Sequence, residues 1–378
     1  RRLAEREGIS SSVSAHADWR TALDGADYVV CSAAREMNRR FRMDREIIDR
    51  HAPGHLVTEF GGVAGISYSL RQIALVRKLC EDMKRLCPDA WLLNISNPLP
   101  RVCQAAHEAG IKTIGFCSVS LVGYGMLDRL FRGKPSSYPF EESQARYDLR
   151  MGGTNHLSWL VELRDRDSGQ DMMPSLRNLI HNRGRPSKCE VYGRRTGYML
   201  MSGDDHVQDF LPPEGLERSL EISSHGSDED RIRREEILRK AARGEVPFEA
   251  IEEMVSWERP IDLIAALSEN RKAEFSSLNL VNDGQIPSLP STAFVETRCV
   301  ADGNGVTADL LELPETVLPY TRNAIEVTEA IVRGAEQRST AFLKKALFAD
   351  PTVVDKHVGW KALDACLQAH EDLIGAFR

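Results

Sequence analysis

The sequence predicts an α/β fold in which a parallel sheet, covered by helices on both faces, is followed by an α+β domain. Between residues 24 and 120, apolar runs typical of buried strands alternate with amphipathic stretches typical of helices. After about residue 147, strand-like runs follow one another directly, and longer helices come later. A chain of 378 residues is long enough for two domains, which we expect at residues 1–146 and 147–378.

The first domain is expected to begin before the first residue of the chain. Residues 1–8 are typical of the end of a helix closed by glycine, and residues 11–15 of a short strand. The elements expected after them are strand 26–33, helix 43–50, extended piece 56–60, glycine-rich turn 61–65, helix 68–86, strand 90–96, helix 99–109 and strand 113–117. We therefore expect the first βαβ unit of this sheet to precede Arg1.

The second domain is expected to mix strands and helices without a regular alternation. The expected elements are strands 147–151, 157–163 and 296–300, and helices 173–182, 218–242, 262–270 and 318–349, the last being one helix or a pair. Glycine-rich or polar segments at 152–156 and 279–290 are expected to be loops.

Composition argues against several classes of partner. The net charge of −7 and a pI near 5.9 argue against nucleic acid and against an anionic membrane surface. No apolar run reaches the roughly 18 residues of a membrane helix. The eight cysteines are scattered without C-x-x-C pairs, which favours a reducing cytoplasm over a disulfide scaffold or a zinc ribbon.

Polar residues follow the predicted parallel strands at the edge where such sheets bind ligands. Ser32 and Ala33 follow the first strand, Asn97 the next and Cys117 the third. The Asn97 amide could bind a substrate hydroxyl, and the bond to Pro98 could be cis, but this pair taken alone favours a strand–helix turn with Asn97 as the cap. Cys117 could be a metal-ligating thiolate or a nucleophile, or simply a small buried apolar residue.

Two further motifs carry titratable groups. His156 follows glycines that allow a sharp turn, so its imidazole is either aimed at a site or satisfied within a hairpin. Asp204, Asp205 and His206 together suit acid–base chemistry or metal binding, although the acidic pair could equally cap a helix.

In their order along the chain, these motifs resemble glycoside hydrolase family 4, the NAD- and divalent-metal-dependent glycosidases related to lactate and malate dehydrogenases. The matching pieces are residues 24–30, 61–62 with Arg71, 88–98, 115–117, 155–156, 203–206, 282–286, 289–290 and 295–296. The stretch 88–98 is the most specific. The resemblance implies a Rossmann-like domain followed by a lactate-dehydrogenase-like C-terminal domain. The glycine-rich dinucleotide turn that opens the family is absent from the printed sequence.

The resemblance also implies roles for particular residues. Cys117 and His156 resemble the metal pair that usually holds Mn²⁺. Ser32, Ala33 and Asn94 would line the NAD site, and Asn97, Ser118, Asn155 and Arg71 would contact substrate. The acid and base groups would come from residues 198–206, with Tyr198, Asp204, Asp205 and His206 as candidates. Family members act on small-molecule glycosides and are usually homodimers or homotetramers.

The chemistry implied is a redox-assisted elimination rather than hydrolysis by two carboxylates. NAD⁺ would oxidise C3 of the sugar, the metal would stabilise the enediolate formed when C2 loses its proton, and the C1 oxygen would then leave. The expected substrate is an α-linked hexoside or uronide. Arg194 and Arg195 could instead bind a phosphorylated or sulfonated sugar, or could be solvated surface. A sugar or 2-hydroxy-acid dehydrogenase and a non-catalytic binding protein are the remaining alternatives.

Overall fold

The computed structural model describes residues 8, 10–117, 119–136, 140–213, 216, 228–247, 249–252 and 258–378. Within them, eight strands form one sheet: β1 (Tyr28–Cys31), β2 (Trp91–Asn94), β3 (Lys112–Gly115), β4 (Tyr147–Thr154), β5 (Leu157–Asp165), β6 (Ala273–Val281), β7 (Phe294–Asp302) and β8 (Gly305–Ala308). The helices of the first half are Trp19–Leu23, Met37–His51, Gly62–Leu86, Leu99–Glu108, Val122–Arg132 and Glu141–Arg146. Those of the second half are Met173–Asn182, Lys188–Thr196, Asp204–Val207, Asp228–Arg243, Glu249–Glu252, Pro260–Glu269, Leu318–Gln337, Thr340–Ala349, Lys356–Ala369 and Glu371–Ile374.

The sheet joins a parallel part to an antiparallel part. Its order is β1-β2-β3-β6-β7-β4-β5, with β8 paired to β7. β1, β2 and β3 are parallel, as predicted, and all later pairings are antiparallel. The two parts meet where Gly115 of β3 pairs with Asn279 of β6. We call this junction the seam.

Most predicted elements of the parallel part are present, with two differences. Residues 11–15 form no strand and are exposed, because this short run neither buries an apolar face nor finds a pairing partner. The helix predicted at 68–86 begins at Gly62, so the glycine-rich segment is mainly its first turn. Gly65 allows this because a Cβ there would lie 2.3 Å from the Phe60 carbonyl oxygen. The helix end predicted at residues 1–8 lies almost wholly outside the described residues.

The antiparallel part differs from the prediction mainly in its loops. β4 and β5 form a hairpin in which the strand continues through Thr154, so only Asn155 and His156 form the turn. His156 has a φ of 65°, which a two-residue hairpin turn requires. The start of the predicted loop 279–290 is the end of β6, a strand that the prediction missed. The segment 318–349 is a pair of helices, and of the predicted helix 218–242 the structure describes residues from 228 onward.

The hydrophobic core crosses the proposed domain boundary. One buried cluster combines residues between 23 and 111 with residues between 327 and 374, so the C-terminal helices pack on the helices of the parallel part. A second cluster lies under the antiparallel strands. β4 begins at Tyr147, but the division of the chain there stays a prediction. Among helices in the described part of the chain, none has the length and apolar character needed to cross a membrane.

Candidate active site

The candidate site lies at the seam. The chain leaves β3 toward Cys117, and the β4–β5 turn carries His156. Glu296 of β7 pairs with Asn279 of β6 on one side and with Gly153 of β4 on the other. Segments distant in sequence therefore meet at the carboxyl end of the last parallel strand, where α/β sheets bind ligands.

Cys117 and His156 are in contact at this point. The Cys117 Sγ and the His156 Nε2 are 3.3 Å apart. Burial, together with the nearby charge of Glu296, raises the pKa of the Cys117 thiol to about 12. Burial also holds the pKa of His156 well below its ordinary value, and charge on His206 adds to that effect. A thiol and a neutral imidazole facing each other in a buried site are a suitable donor pair for a transition metal.

Aromatic rings pack against the His156 imidazole. The His156 ring lies 4.3 Å, centroid to centroid, from both Phe60 and His206. His206 extends the site toward a carboxylate, because its Nδ1 is 4.0 Å from the Asp209 Oδ2. Asp209 is buried, and burial raises its pKa even though His206 and Thr58 act to lower it.

Glu59 is a buried acid that the sequence reasoning missed. Burial raises the pKa of its carboxyl to about 7, although charge on His206 and a hydrogen bond from Asn97 lower it in part. A carboxyl with such a pKa exchanges protons near neutral pH, as a catalytic acid or base must. The only sequence signal was an acid within the mainly apolar run 56–60.

Glu296 is a second buried acid, and its surroundings are polar. Burial raises its pKa to about 7, against the effect of hydrogen bonds from Ser120, Asn155, Ser277 and Ser158. The Asn155 Nδ2 donates to its Oε2 at 3.3 Å. Glu296 was part of a matching motif, but no role was predicted for it.

Several buried polar atoms at the seam lack a hydrogen-bond partner within the described residues. They are the Asn97 Oδ1, the Asn155 Oδ1, the His156 Nδ1, the Glu296 Oε1 and both amide atoms of Asn279. Buried polar groups almost always have a partner in folded proteins. This concentration is consistent with a site where a polar ligand or water completes the hydrogen bonds.

The segment carrying Glu59 and Phe60 is fixed by close backbone packing. A Cβ on Gly61 would lie 2.6 Å from the Asp209 carbonyl oxygen. The buried Arg101 donates to the Phe60 carbonyl at 2.7 Å and to the Gly65 carbonyl at 3.0 Å. The Asn97–Pro98 peptide bond is cis, and it ends the turn that brings Asn97 to Glu59.

The predicted cofactor residues lie at the end of β1. Ser32 and Ala33 are exposed. The Ala33 N–H donates to the Ser96 Oγ at 2.8 Å, and that hydroxyl donates to the Ala33 carbonyl at 2.9 Å. Asn94 instead is buried and donates to the Ser96 carbonyl at 2.9 Å. It supports the loop rather than facing a ligand.

Arg71 is placed away from the other predicted site residues. Its guanidinium is only 2% exposed and donates to the Asp44 Oδ2 at 2.7 Å and to the Ser67 Oγ at 2.8 Å. In this structure the guanidinium is engaged in a buried ion pair, and the substrate contact that the resemblance implied stays a prediction.

The candidates in 198–206 are separated by the structure. His206 reaches the pair, but the Asp205 side chain is 71% exposed and 3.9 Å from the Lys188 ammonium. The described contacts of Tyr198 are with Thr196 and, across its ring, with Arg177. Asp204 starts the short helix Asp204–Val207, and its side chain lies outside what the structure describes, as does Ser118.

Arg194 and Arg195 are committed to contacts within the protein. Arg194 donates to the carbonyl oxygens of Ile180 and Arg183, and Arg195 lies 4.8 Å from the ring of Tyr192. Both residues are exposed, as the solvated-surface alternative expects, and their binding of an anionic sugar stays a prediction.

The donor set for a metal is incomplete without substrate. No cluster of three or more histidine, cysteine or acidic side chains within the described residues could hold a metal ion. Cys117 and His156 therefore fit a cation that takes its remaining oxygen ligands from sugar and water. The unpartnered amide oxygens next to the pair would orient such a sugar.

Comparison with known proteins agrees with this geometry. A sequence model of the family 4 glycosyl hydrolases matches residues 1–132, and the model of that family's C-terminal domain matches residues 151–353. The α-galactosidase of Bacillus subtilis (strain 168) is 26% identical over 363 residues, covering 92% of this chain and 81% of the relative. The α-galacturonidase of Thermoanaerobacterium saccharolyticum is 24% identical over 365 residues, covering 88% and 76%.

A solved structure has the same fold. It is a 6-phospho-α-glucosidase from gut microorganisms in complex with NAD and Mn²⁺, and it superposes with a TM-score of 0.78 at 18% identity. The superposition covers 100% of this chain and 88% of the other. The architecture predicted from the sequence, an α/β Rossmann-like fold, is thus confirmed.

Proposed function

The chain belongs to family 4 of the glycosyl hydrolases, and on that ground we propose that it hydrolyses an α-linked hexoside or uronide with NAD and Mn²⁺ as cofactors. The observation that carries the proposal is the 3.3 Å contact between the Cys117 Sγ and the His156 Nε2 at the seam. Two buried acids and unpartnered amide oxygens surround this contact. A dehydrogenase that stops at the ketone would need no such thiol.

The Cys117–His156 pair fits the cation, and the end of β1 is accessible to the dinucleotide. Cys117 and His156 would hold the cation, and the exposed Ser32 and Ala33 at the end of β1 would line the dinucleotide. When bound, the two cofactors supply reversible removal of hydride from the sugar and polarisation of its oxygens. All proton transfers are left to the protein.

We assign the proton transfers to His206 and Glu59. The His206 imidazole takes the proton of the sugar carbon, and Asp209 stabilises the cationic form of the ring from 4.0 Å away. Glu59, whose pKa is about 7, is protonated in about half of the molecules at neutral pH, and this protonated form delivers the proton to the departing oxygen. His206 is preferred to Tyr198 and Asp205 because it alone of the three contacts His156.

Substrate hydroxyls would be bound by the amides of Asn97 and Asn155. Each amide has a buried oxygen without a partner within the described residues, and the other side of each is tied to a buried acid. An amide fixed in this way accepts from a hydroxyl in one direction only, which selects the orientation of the sugar. The anionic alternative receives no support from Arg194 and Arg195, which bind other parts of the protein.

The test is a screen of nitrophenyl glycosides and uronides, including phosphorylated and sulfonated sugars. We expect aryl release to require NAD⁺, Mn²⁺ and a reductant, without net accumulation of NADH. Activity that survives complete removal of metal would contradict the proposal, and net NADH formation would favour the dehydrogenase.

A matched pair of cysteine variants tests the metal site directly. Cys117→Ala should lose Mn²⁺ binding by calorimetry while the circular dichroism spectrum is unchanged. Cys87→Ala, which removes a buried thiol just after the helix Gly62–Leu86, should bind Mn²⁺ like the parent. Equal binding by both variants would exclude Cys117 as a ligand.

We further propose that the protein works in a reducing cytoplasm as a homodimer or homotetramer. All eight cysteines are free, and seven of them are buried, which suits a compartment without oxidising chemistry. Light scattering of the purified protein tests the oligomeric state.

A further inference from the structure

A network of ion pairs, buried at its centre and exposed at Glu36 and Asp372, connects the loop 32–36 with the segment 370–372. It is formed by Glu36, Arg40 and Asp44 of one segment and by His370 and Asp372 of another. None of these residues has a part in the chemistry assigned above. The network ends at Glu36, in the loop that is proposed to line the dinucleotide. It can therefore affect the conformation of that loop.

Arg40 lies at the centre of this network. Its side chain is only 5% exposed, and its two terminal nitrogens donate to the two carboxylate oxygens of Asp372, at 2.9 and 2.6 Å. Its Nε donates to the Glu36 Oε2 at 3.1 Å. A planar guanidinium bound on two edges at once is held in one orientation, which a lysine could not reproduce.

His370 connects Arg40 with Asp44, and Asp44 in turn binds Arg71 of the helix Gly62–Leu86. Its Nδ1 is 3.4 Å from the Arg40 Nη1, and its Nε2 is 2.8 Å from the Asp44 Oδ1. Because arginine can only donate, Nδ1 accepts and Nε2 carries the hydrogen. Asp44 also receives the Arg71 guanidinium at 2.7 Å. Arg71, which the family resemblance singled out, therefore belongs to this network of ion pairs.

The loop itself is held at two points. Glu36 adopts a left-handed backbone conformation with φ of 50°, which costs energy for a residue other than glycine and must be held by its surroundings. Arg39 and Arg40 both bind its carboxylate. At the other end, the Ala33 carbonyl accepts from the Gln72 Nε2 at 2.9 Å. The exposed Ala34 and Arg35 lie between these two fixed points.

We propose that Arg40 and Asp372 are positioning residues through which the C-terminal segment holds the loop 32–36 in the conformation that receives the dinucleotide. The inference rests on the proposed function, because it takes Ser32 and Ala33 as cofactor contacts. Loss of the pair frees Glu36 to leave its left-handed conformation. The loop then samples other conformations, and cofactor binding must select the competent one.

The test uses Asp372→Asn in the full chain. Asp372 is 57% exposed, so the variant is expected to fold, whereas replacement of the buried Arg40 could prevent folding. Asp364→Asn is the matched control: it removes the same charge on the preceding helix Lys356–Ala369, where Asp364 accepts from Gln368 at 3.0 Å. Asp372→Glu tests rescue by a carboxylate.

Two readouts are needed. Hydrogen exchange should become faster in the peptide covering 32–36 of Asp372→Asn but not of Asp364→Asn. The Kd for NAD⁺, measured by calorimetry well below the melting temperature, should rise about two- to fivefold, as expected for loss of a partly exposed ion pair. The kcat at saturating NAD⁺ and the Kd for Mn²⁺ should stay the same, and Asp372→Glu should restore part of the affinity.

Other outcomes overturn the inference in distinguishable ways. Unchanged exchange in the loop would show that the pair does not hold it. Faster exchange with unchanged NAD⁺ affinity would show that the held conformation is irrelevant to the cofactor. Failure of the unsubstituted protein to bind NAD⁺ would refute the proposed function itself, and this inference with it.

Discussion

At the scale of single residues, the site is defined by acids held away from water. Glu59 and Glu296 both have a pKa of about 7, and burial is the main cause in each. They lie on different segments that approach the Cys117–His156 pair. Each is bound by an asparagine amide that also offers an unpartnered oxygen. The site therefore combines proton exchange and hydroxyl recognition in the same side-chain pairs.

The role of Glu59 predicts a loss of rate and a change in pH dependence. In Glu59→Gln, kcat/KM should fall by about 100-fold or more, the usual contribution of a general acid. The parent should lose activity as the pH rises above 7, because the carboxyl then loses its proton, and the variant should lack this limb. Initial rates between pH 5 and 9 would measure both effects.

Glu326→Gln is the control for that experiment, since it removes a surface carboxylate paired with Lys345. It should retain the rate and the pH profile of the parent. A full descending limb in Glu59→Gln would assign the proton to another group.

His206 and Asp205 are neighbours in sequence with opposite expected effects. His206→Asn should lower kcat by about 100-fold or more, because it removes the ring packed on His156. Asp205→Asn should stay within about twofold, because an exposed ion pair contributes little. Steady-state rates at saturating NAD⁺ and Mn²⁺ compare the two, and similar losses in both would refute the assignment.

At the scale of elements, close backbone approach positions the site. The helix Gly62–Leu86 begins where Gly61 meets the backbone of Asp209, so the segment with Glu59 and the segment with His206 touch without a side chain between them. The β4–β5 hairpin uses the same device, because a Cβ on Gly153 would lie 2.1 Å from the Leu157 carbonyl oxygen. Small residues therefore set the distances between catalytic groups.

Gly61→Ala should separate these two segments. Its Cβ would force the Asp209 carbonyl back from 2.6 Å, and a displacement of this order at a catalytic group costs about 100-fold in rate. We expect a large loss of kcat with a smaller loss of stability. Gly184→Ala is the control, because nothing lies within 4 Å of a Cβ at that position. Measurements of kcat and of thermal unfolding for both variants test this prediction. Full activity of Gly61→Ala would show that the contact adapts to the added methyl group.

At the scale of the whole molecule, the buried acids make stability depend on pH. For both Glu59 and Glu296, the pKa is about 7 in the folded protein against an ordinary value of 4.5. The folded state therefore binds more protons between these values. Their contribution is fully present below pH 4.5 and is lost as the pH rises through 7.

The expected result is that Glu59→Gln and Glu296→Gln gain stability at alkaline pH. In metal-free protein at pH 8, each should be more stable than the parent by about 1–3 kcal/mol, because no carboxylate must be buried. At pH 5 the difference should nearly vanish. Urea unfolding at the two pH values measures it, and a loss of stability of equal size at both would contradict the burial argument.

The parallel part of the fold was largely predictable, and the antiparallel part was less so. Runs such as that of β2 are mainly apolar because both faces of a parallel sheet are covered, and this pattern is local. β6 was missed because its partner β3 lies far away in sequence and its own pattern is interrupted by a bulge between Phe275 and Leu278. The buried ion pair of Arg71 was not predicted for a similar reason: its partner Asp44 lies on another helix.

The sequence by itself determined the family and the order of strands and helices in the parallel part, since these depend on residue type and on spacing along the chain. The prediction that Cys117 and His156 act together came from the family resemblance. The tertiary structure alone decided which acids stand beside that pair, which of Asp205 and His206 reaches it, and that Arg71 is buried elsewhere. The reason is physical: a raised pKa, an unpartnered amide oxygen or an ion pair arises from burial among segments distant in sequence, and no local pattern encodes it.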